Sequence, residues 1–305
     1  MYDMYTSCRL CPRNCGVNRF KGETGLCGES AALRIGTVVI HHGEEPPLVG
    51  NGGSGTVFVS GCNLGCNFCQ NYQVSHENAL GKIVDNNEFV KICSELIGKG
   101  AENINIVTGS HAIPALADAF NAAKKAEVNL PVLWNTSAYE NTDALELLKD
   151  HVDVFLPDLK TLDSEIAGKY FNAPDYPSAA KTAIKKMIDM KNNQEKVIIR
   201  HLILPGYIDS TYSVLRWFAE NAAGNALLSL MTQYTPIPGR NKPMPDRFLN
   251  KEEYETVLYF LKELGIEEGF CQELVTGSDW LPDFRRFNPF SSELSVPVWN
   301  YNSQI

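Results

Sequence analysis

An α/β fold built as an open, curved sheet, a (β/α)6 partial TIM barrel, is predicted by three observations. Short β-rich runs alternate with helical stretches from residue 55 to about 232. The strand candidates number six, too few to close an eight-stranded barrel. The segments on either side of this alternation have a different composition, so they read as additions to a core. The expected organisation is a cysteine-rich segment over 1–50, the partial barrel over 51–240 and a C-terminal extension over 241–305.

The strand candidates are Thr56–Ser60, Asn103–Val107, Val132–Trp134, Val152–Leu156, Val197–Leu204 and Leu227–Met231. Each is short, apolar and bounded by turn residues. Between them, apolar stripes recur at helical spacing. Phe89, Ile92, Cys93, Leu96 and Ile97 form the first, opened by Asp85 and closed by Gly98 and Gly100. Ile113, Leu116, Ala117, Phe120 and Ala123 form the next. Ala144, Leu145 and Leu148 follow, capped by Thr142 or Asp143; then come Ala183, Ile184, Met187 and Ile188, and finally Val214, Trp217 and Phe218. Strands alternating with helices imply a parallel sheet with right-handed crossovers. In such sheets ligands gather at the C-terminal ends of the strands.

The flanks read differently. Residues 1–50 show poor apolar periodicity and hold Cys8, Cys11, Cys15 and Cys27. The C-terminal stretch contains one helix, Glu252–Glu263, and then an aromatic, proline-rich run with Trp280, Phe284, Phe287, Phe290, Trp299 and Tyr301, expected to lie over the barrel or its open edge. The glycine run Gly50–Gly55 precedes a strand and lacks the lysine of a phosphate loop, so it reads as a flexible turn.

Composition narrows the function. Hydrophobic residues make up 44% and charged residues 21%, ordinary for a globular protein. A net charge of −9 lacks the basic footprint of a nucleic-acid binder. No apolar run reaches the roughly 20 residues of a membrane span. The first residues have neither a basic start nor an apolar segment, so no signal peptide is expected and the cytoplasm is the expected compartment. Nine cysteines in that setting argue for metal or redox use, not a disulfide framework.

The chemistry concentrates in Cys62-Asn-Leu-Gly-Cys66-Asn-Phe68-Cys69, just after the first strand. Thiolates are the usual ligands of iron–sulfur clusters, and three of them leave one iron of a four-iron cube open. A structural zinc knuckle normally closes with four ligands. A thioredoxin-like pair at Cys66 and Cys69 has no use for Cys62. Further polar groups fall at later strand ends: Gly109, Ser110 and His111 after the second, Asn135 and Ser137 after the third, and Asp158 and Lys160 after the fourth. Asp158 and Lys160 are two apart, so on an extended chain they point the same way and suit the two ends of an amino acid; a plain ion pair is the alternative. Arg200 and His201 interrupt the apolar fifth strand, which implies a polar cavity. They face opposite sides, so one of them lines the centre. Gln233 and Tyr234 end the sixth strand and can close the site. His111 and His201, with Gln233 and Tyr234, are the candidates for contact with substrate.

The spacing C-x3-C-x2-C with Phe68 before the last cysteine resembles the radical S-adenosylmethionine (SAM) enzymes. The resemblance implies a [4Fe-4S] cluster on Cys62, Cys66 and Cys69, with SAM on the open iron and cleaved to a 5′-deoxyadenosyl radical. It implies SAM contacts from Phe68, Asn71, Gly109, Ser110, Asn135, Ser137, Asp158, Lys160 and Arg200, and an electron donor of flavodoxin or ferredoxin type. At Gly109-Ser110 the chain departs from the Gly-Gly-Glu common in such enzymes. Asp158-Leu-Lys160 resembles the activases of glycyl-radical enzymes. With Cys8-Arg-Leu-Cys11 through Arg19, His41-His-Gly-Glu44-Glu45, Phe68 through Tyr72 and Arg200-His201-Leu, the chain is similar to the branch named after pyruvate formate-lyase activating enzymes, the PflX-like proteins. That similarity implies a glycyl-radical enzyme or another protein as partner; a small molecule or a peptide is the alternative substrate, and a non-catalytic metal module a third reading. Cys8, Cys11, Cys15 and Cys27 form a separate set that can hold zinc or an iron–sulfur cluster. His41, His42, Glu44 and Glu45 are read by default as a polar loop.

Overall fold

The computed structural model describes residues 3–76, 79–237 and 244–302. The expected boundary between residues 240 and 241 lies outside the described residues. Ten strands occur among them: β1 (Arg34–His41), β2 (Ser54–Val59), β3 (Lys82–Ile83), β4 (Ile104–Val107), β5 (Val132–Thr136), β6 (Val154–Pro157), β7 (Ile198–Leu202), β8 (Leu227–Met231), β9 (Gly269–Cys271) and β10 (Ser295–Asn300). β2, β4, β5 and β6 run parallel in that order, and β7, β8 and β9 continue parallel. Single parallel bridges at Phe155–Val197 and Asp158–Arg200 carry the sheet across from β6 to β7. The result is the partial barrel expected from the sequence, with every anticipated strand present.

Local signals place the helices. Asp85 caps the helix Asn86–Gly98 by accepting from the Glu88 amide at 2.8 Å. Asn250 and Glu253 form a reciprocal capping box on Lys251–Glu263. One helix, Ser164–Phe171, has no counterpart in the apolar pattern; Asp163 starts it by accepting from the Glu165 and Ile166 amides.

The strands β2, β4, β5, β6 and β7 are largely buried on both faces. Ile106, Trp134, Phe155 and Ile199 face the helical layer and join the main core. Their neighbours Leu133, Val154, Leu156 and Ile198 point into the lumen, where Leu48 packs on them. Leu48 belongs to the short helix Pro46–Val49, which plugs the N-terminal end of the barrel.

The flanks contribute strands that the sequence reading leaves out. β1 lies in the cysteine-rich segment and pairs antiparallel with β2, from Ile35–Val59 at one end to His41–Ser54 at the other. β10 pairs antiparallel with β1, and β9 adds a parallel strand beyond β8. β1 escapes a search for alternation because both of its faces are covered: Val38 and Ile40 join one cluster and Val39 another. The glycines before β2 also differ from a flexible turn. A Cβ on Gly52 would lie 1.8 Å from the Gly100 carbonyl oxygen, so this position requires glycine for close backbone approach. Among the described residues, no helix is long and apolar enough to cross a membrane.

The C-terminal stretch straps the barrel near β1 and β2. Phe284 is fully buried, edge-to-face with Phe58 at 5.0 Å, and its amide donates to Gln73 Oε1 at 2.6 Å. Phe284→Ala is expected to lower unfolding free energy by about 3–5 kcal/mol, measured by urea titration; a change below about 1 kcal/mol would show that the strap is not part of the core.

Candidate active site

β2 ends at Val59, and the cysteine loop follows at its C-terminal end. Cys62, Cys66 and Cys69 all line one cavity of about 660 Å³ inside the barrel, within the range of ligand sites. Burial pushes the Cys66 thiol well up from its ordinary value; Lys160 opposes this, and Cys69 and Cys62 add to it. Cys62 moves the same way, through burial and then Cys69. Among the described residues, no three His, Cys, Asp or Glu side chains already form a metal cage. The donor set nevertheless suits an iron–sulfur cluster: soft sulfur ligands on one loop, facing one cavity and electrostatically coupled, with the Lys160 ammonium nearby.

Residues from the other strand ends meet this loop. Phe68, Asn71, Asn135, Ser137, Asp158, Lys160, Arg200 and Gln233 line the same cavity. Lys160 Nζ lies 2.5 Å from Asp158 Oδ2, with both side chains largely buried. Tyr176 steadies that turn: its hydroxyl donates to the Asp158 carbonyl at 2.8 Å and accepts from the Lys160 amide at 3.0 Å. Gln233 accepts through Oε1 from Gln272 at 2.8 Å. Thr108, also on the wall, holds φ +64°, a left-handed conformation rare for a β-branched residue.

Other sequence candidates are turned away. Gly109 packs on Trp134, where a Cβ would approach ring carbons to 2.5 Å. Ser110 donates to the buried Glu140 at 2.8 Å. Tyr234 donates to the Pro245 carbonyl at 2.7 Å. His201 sits behind the sheet, bonded to the Leu159 carbonyl at 2.7 Å and Thr211 Oγ1 at 3.0 Å; burial pulls its pKa down to about 4. His111 is buried too, with Nδ1 lacking a hydrogen-bond partner, and burial lowers its pKa to about 3. Neither imidazole lines the cavity. Arg200 and His201 do face opposite sides of β7, as their adjacency requires.

Arg200 reaches partners the sequence reading left in a polar loop. Its Nε donates to Glu45 Oε1 at 2.8 Å, and its Nη2 donates to both Glu45 Oε2 and Glu44 Oε2. Asn105 Nδ2 donates to Glu44 Oε1 at 3.1 Å. These groups follow the end of β1, which pairs with the start of β2, so they form the deep floor of the cavity opposite the cysteine loop. The signal was an arginine inside an apolar strand, which demands a carboxylate; nothing in the sequence said which one. Trp280 and Phe290 add aromatic wall near His41, and Gly43 gives Trp280 room.

The N-terminal cysteines form a second group. Cys8, Cys11 and Cys27 are buried and Cys15 is exposed. Arg19, itself buried, donates from Nε to Cys8 Sγ and from Nη2 to Cys27 Sγ, both at 3.0 Å.

Comparison with known proteins agrees with this geometry. Residues 56–218, more than half of the chain, match the sequence model of the radical SAM superfamily. The chain belongs to the radical SAM superfamily. Membership implies a [4Fe-4S] cluster and SAM, and the three thiols of the first loop face one cavity. An uncharacterized protein of Methanocaldococcus jannaschii is 30% identical over 273 residues, covering 87% of this chain and 77% of its own. Among solved structures, methylornithine synthase superposes with a TM-score of 0.52 at 16% identity, over 81% of this chain and 75% of that one. A radical SAM methyltransferase from Sphaerobacter thermophilus gives 0.52 at 17% identity, over 72% and 67%. SuiB of Streptococcus suis, bound to its precursor peptide SuiA, gives 0.51 at 14% identity; this chain aligns over 70% of its length and spans 46% of SuiB. At these identities the likeness is one of fold: the radical SAM partial barrel.

The buried histidines set a pH dependence. His111 and His201 have folded pKa values near 3 and 4, below the unfolded value of about 6.5. The unfolded chain therefore binds more protons in that interval, so their contribution is complete above about pH 6.5 and is lost as pH falls toward 4. The urea midpoint is expected to drop between pH 7 and pH 4.5, and the drop to be shallower in His111→Leu. Parallel curves for the two proteins would count against the neutral, buried imidazole.

Proposed function

We propose that this radical SAM protein binds its cluster through Cys62, Cys66 and Cys69 and abstracts hydrogen from a substrate held in the barrel lumen. Such a cluster, when bound, supplies the electron that cleaves SAM to a 5′-deoxyadenosyl radical. The observation that carries this reading is the convergence of the three thiols with Asn135, Ser137, Asp158 and Lys160 on one cavity. Lys160 offers an ammonium and Asp158 a carboxylate at the cofactor end, so the two can meet the carboxylate and amine of the methionine part. Asn135 and Ser137 offer short polar groups for the ribose. Phe68 packs on Phe171 at 5.7 Å and fixes the loop from behind. Walls on several sides keep water from the reacting centre. Electrons come from a flavodoxin- or ferredoxin-type donor in a reducing compartment, the cytoplasm.

For the substrate, the PflX-like resemblance supports an activase that takes hydrogen from a glycine of a partner enzyme. The depth of the lumen and its charged floor favour instead a small molecule or a peptide side chain. The N-terminal cysteines belong to the proposal as a second metal site, zinc or iron–sulfur. Arg19 supports it: its guanidinium donates to two of the sulfurs and so places positive charge against the set, opposing the burial that pushes the Cys27 thiol up.

Anaerobic reconstitution and reduction with SAM is expected to yield 5′-deoxyadenosine from the parent protein and none from Cys62→Ala. No product, with Cys62→Ala equal to the parent, would remove the radical reading. A glycine-centred radical signal on a co-incubated glycyl-radical enzyme would select the activase form. Metal and sulfide analysis of the Cys62/Cys66/Cys69 triple alanine variant is expected to show residual metal at the N-terminal set; a metal-free protein would dismiss the second site.

A further inference from the structure

The cavity floor has more acid than base. The charged groups lining the cavity are the carboxylates of Glu44, Glu45 and Asp158 and the cations of Lys160 and Arg200, apart from the cysteines and His41. Asp158 is matched by Lys160. Glu45 takes Arg200 in a two-pronged pair through Nε and Nη2. Glu44 is left with a share of the same Nη2 and a neutral amide from Asn105. His41 does not make up the difference: its Nδ1 accepts from the Gly43 amide at 3.2 Å and lies 4.0 Å from Glu44 Oε1, so the nitrogen facing Glu44 has no proton to give. Burial also holds this imidazole neutral, lowering its pKa. The side chains of Glu44 and Glu45 are 11% and 6% exposed, so solvent does little to screen the surplus.

A buried carboxylate that only shares a cation with a second carboxylate is unfavourable. Facing a cavity, it is a receptor for positive charge. The cavity walls include Phe58, Leu202 and Phe270, and Trp280 and Phe290 lie near His41 and Gly43, next to Glu44 in sequence. Aromatic faces also attract cations. We propose that the cavity floor is a subsite for a cationic group, an amine or guanidinium on an apolar stem, seated against Glu44 at the end of the lumen away from the cysteine loop. This rests on the reading of the cavity as the active site and names the class of substrate that it takes.

The test is a binding measurement that needs no turnover. n-Butylamine, n-butylguanidine and Nα-acetyl-lysine methylamide are titrated calorimetrically into the parent protein, with n-butanol and butyrate as neutral and anionic counterparts. The cations are expected to bind at least about tenfold tighter than butanol, and butyrate weakest. Tightest binding by the lysine derivative points to a peptide-borne side chain, and by the free amines to a small molecule. Glu44→Gln keeps the shape and is expected to lose the preference; Glu44→Asp keeps the charge and is expected to retain part of it. Equal binding of butanol and butylamine, or an undiminished preference in Glu44→Gln, would overturn the proposal. So would loss of SAM binding by Glu44→Gln in equilibrium dialysis, since Glu44 would then serve the cofactor's sulfonium. A failure to cleave SAM leaves these outcomes readable, so the two readings fail separately.

Discussion

A guanidinium inside a barrel must be paired, and the way Arg200 is paired organises the lumen. Arg200 rises from β7, while Glu44 and Glu45 lie on the loop after β1, 155 residues away along the chain in the case of Glu45. The pairing ties the segment before the barrel to its far side. It also holds the turn into Pro46–Val49, so that Leu48 can seat on Leu133, Val154, Leu156 and Ile198 and close the N-terminal end. A closed end turns the partial barrel into a cup.

The chemistry of this cup is divided among its elements. Sulfur donors come from the loop after β2, the Asp158–Lys160 pair and Arg200 stand level on neighbouring strands, and Arg200 reaches Glu44 and Glu45 on the loop after β1. Arg200 is the inward-facing strand residue among them, while the sulfurs, Asp158, Lys160, Glu44 and Glu45 come from loops at the strand ends; the outward strand positions pack on helices. The same rule removes His201 from the chemistry, because its neighbour Arg200 takes the inward position. The position of His111 is decided otherwise. It sits in the 3-10 turn Ser110–Ala112 between β4 and its helix, and that turn buries it under the N-terminal segment, within the electrostatic reach of Arg19 and Arg34.

The N-terminal segment is therefore more than an attachment. Its strand β1 extends the sheet, its loop supplies Glu44 and Glu45, and its Cys8 and Cys27 accept from Arg19. Arg13 fastens the segment to the barrel, donating to the Asn63 carbonyl at 3.1 Å and the Phe171 carbonyl at 2.9 Å. Asn63 lies between Cys62 and Cys66, so Arg13 ties the N-terminal segment to the cysteine loop itself.

The sequence alone determined what depends on local pattern. Alternating apolar runs and helical stripes specified the barrel strands, and the spacing of Cys62, Cys66 and Cys69 marked three thiols on one loop, because a short loop needs no distant partner to be recognised. Adjacent positions such as Arg200 and His201 could also be separated into inward and outward by the period of a strand. Tertiary structure decided everything that depends on pairing across distance. Glu44 and Glu45 become a buried floor only because β1 folds back against β2. β1 itself is hidden in sequence because both of its faces are covered and no polar alternation survives. Ser110 and Tyr234 leave the site because Glu140 and the Pro245 carbonyl claim their hydroxyls. Charge balance, and with it the class of ligand the cavity suits, is a sum over residues that only the fold brings together.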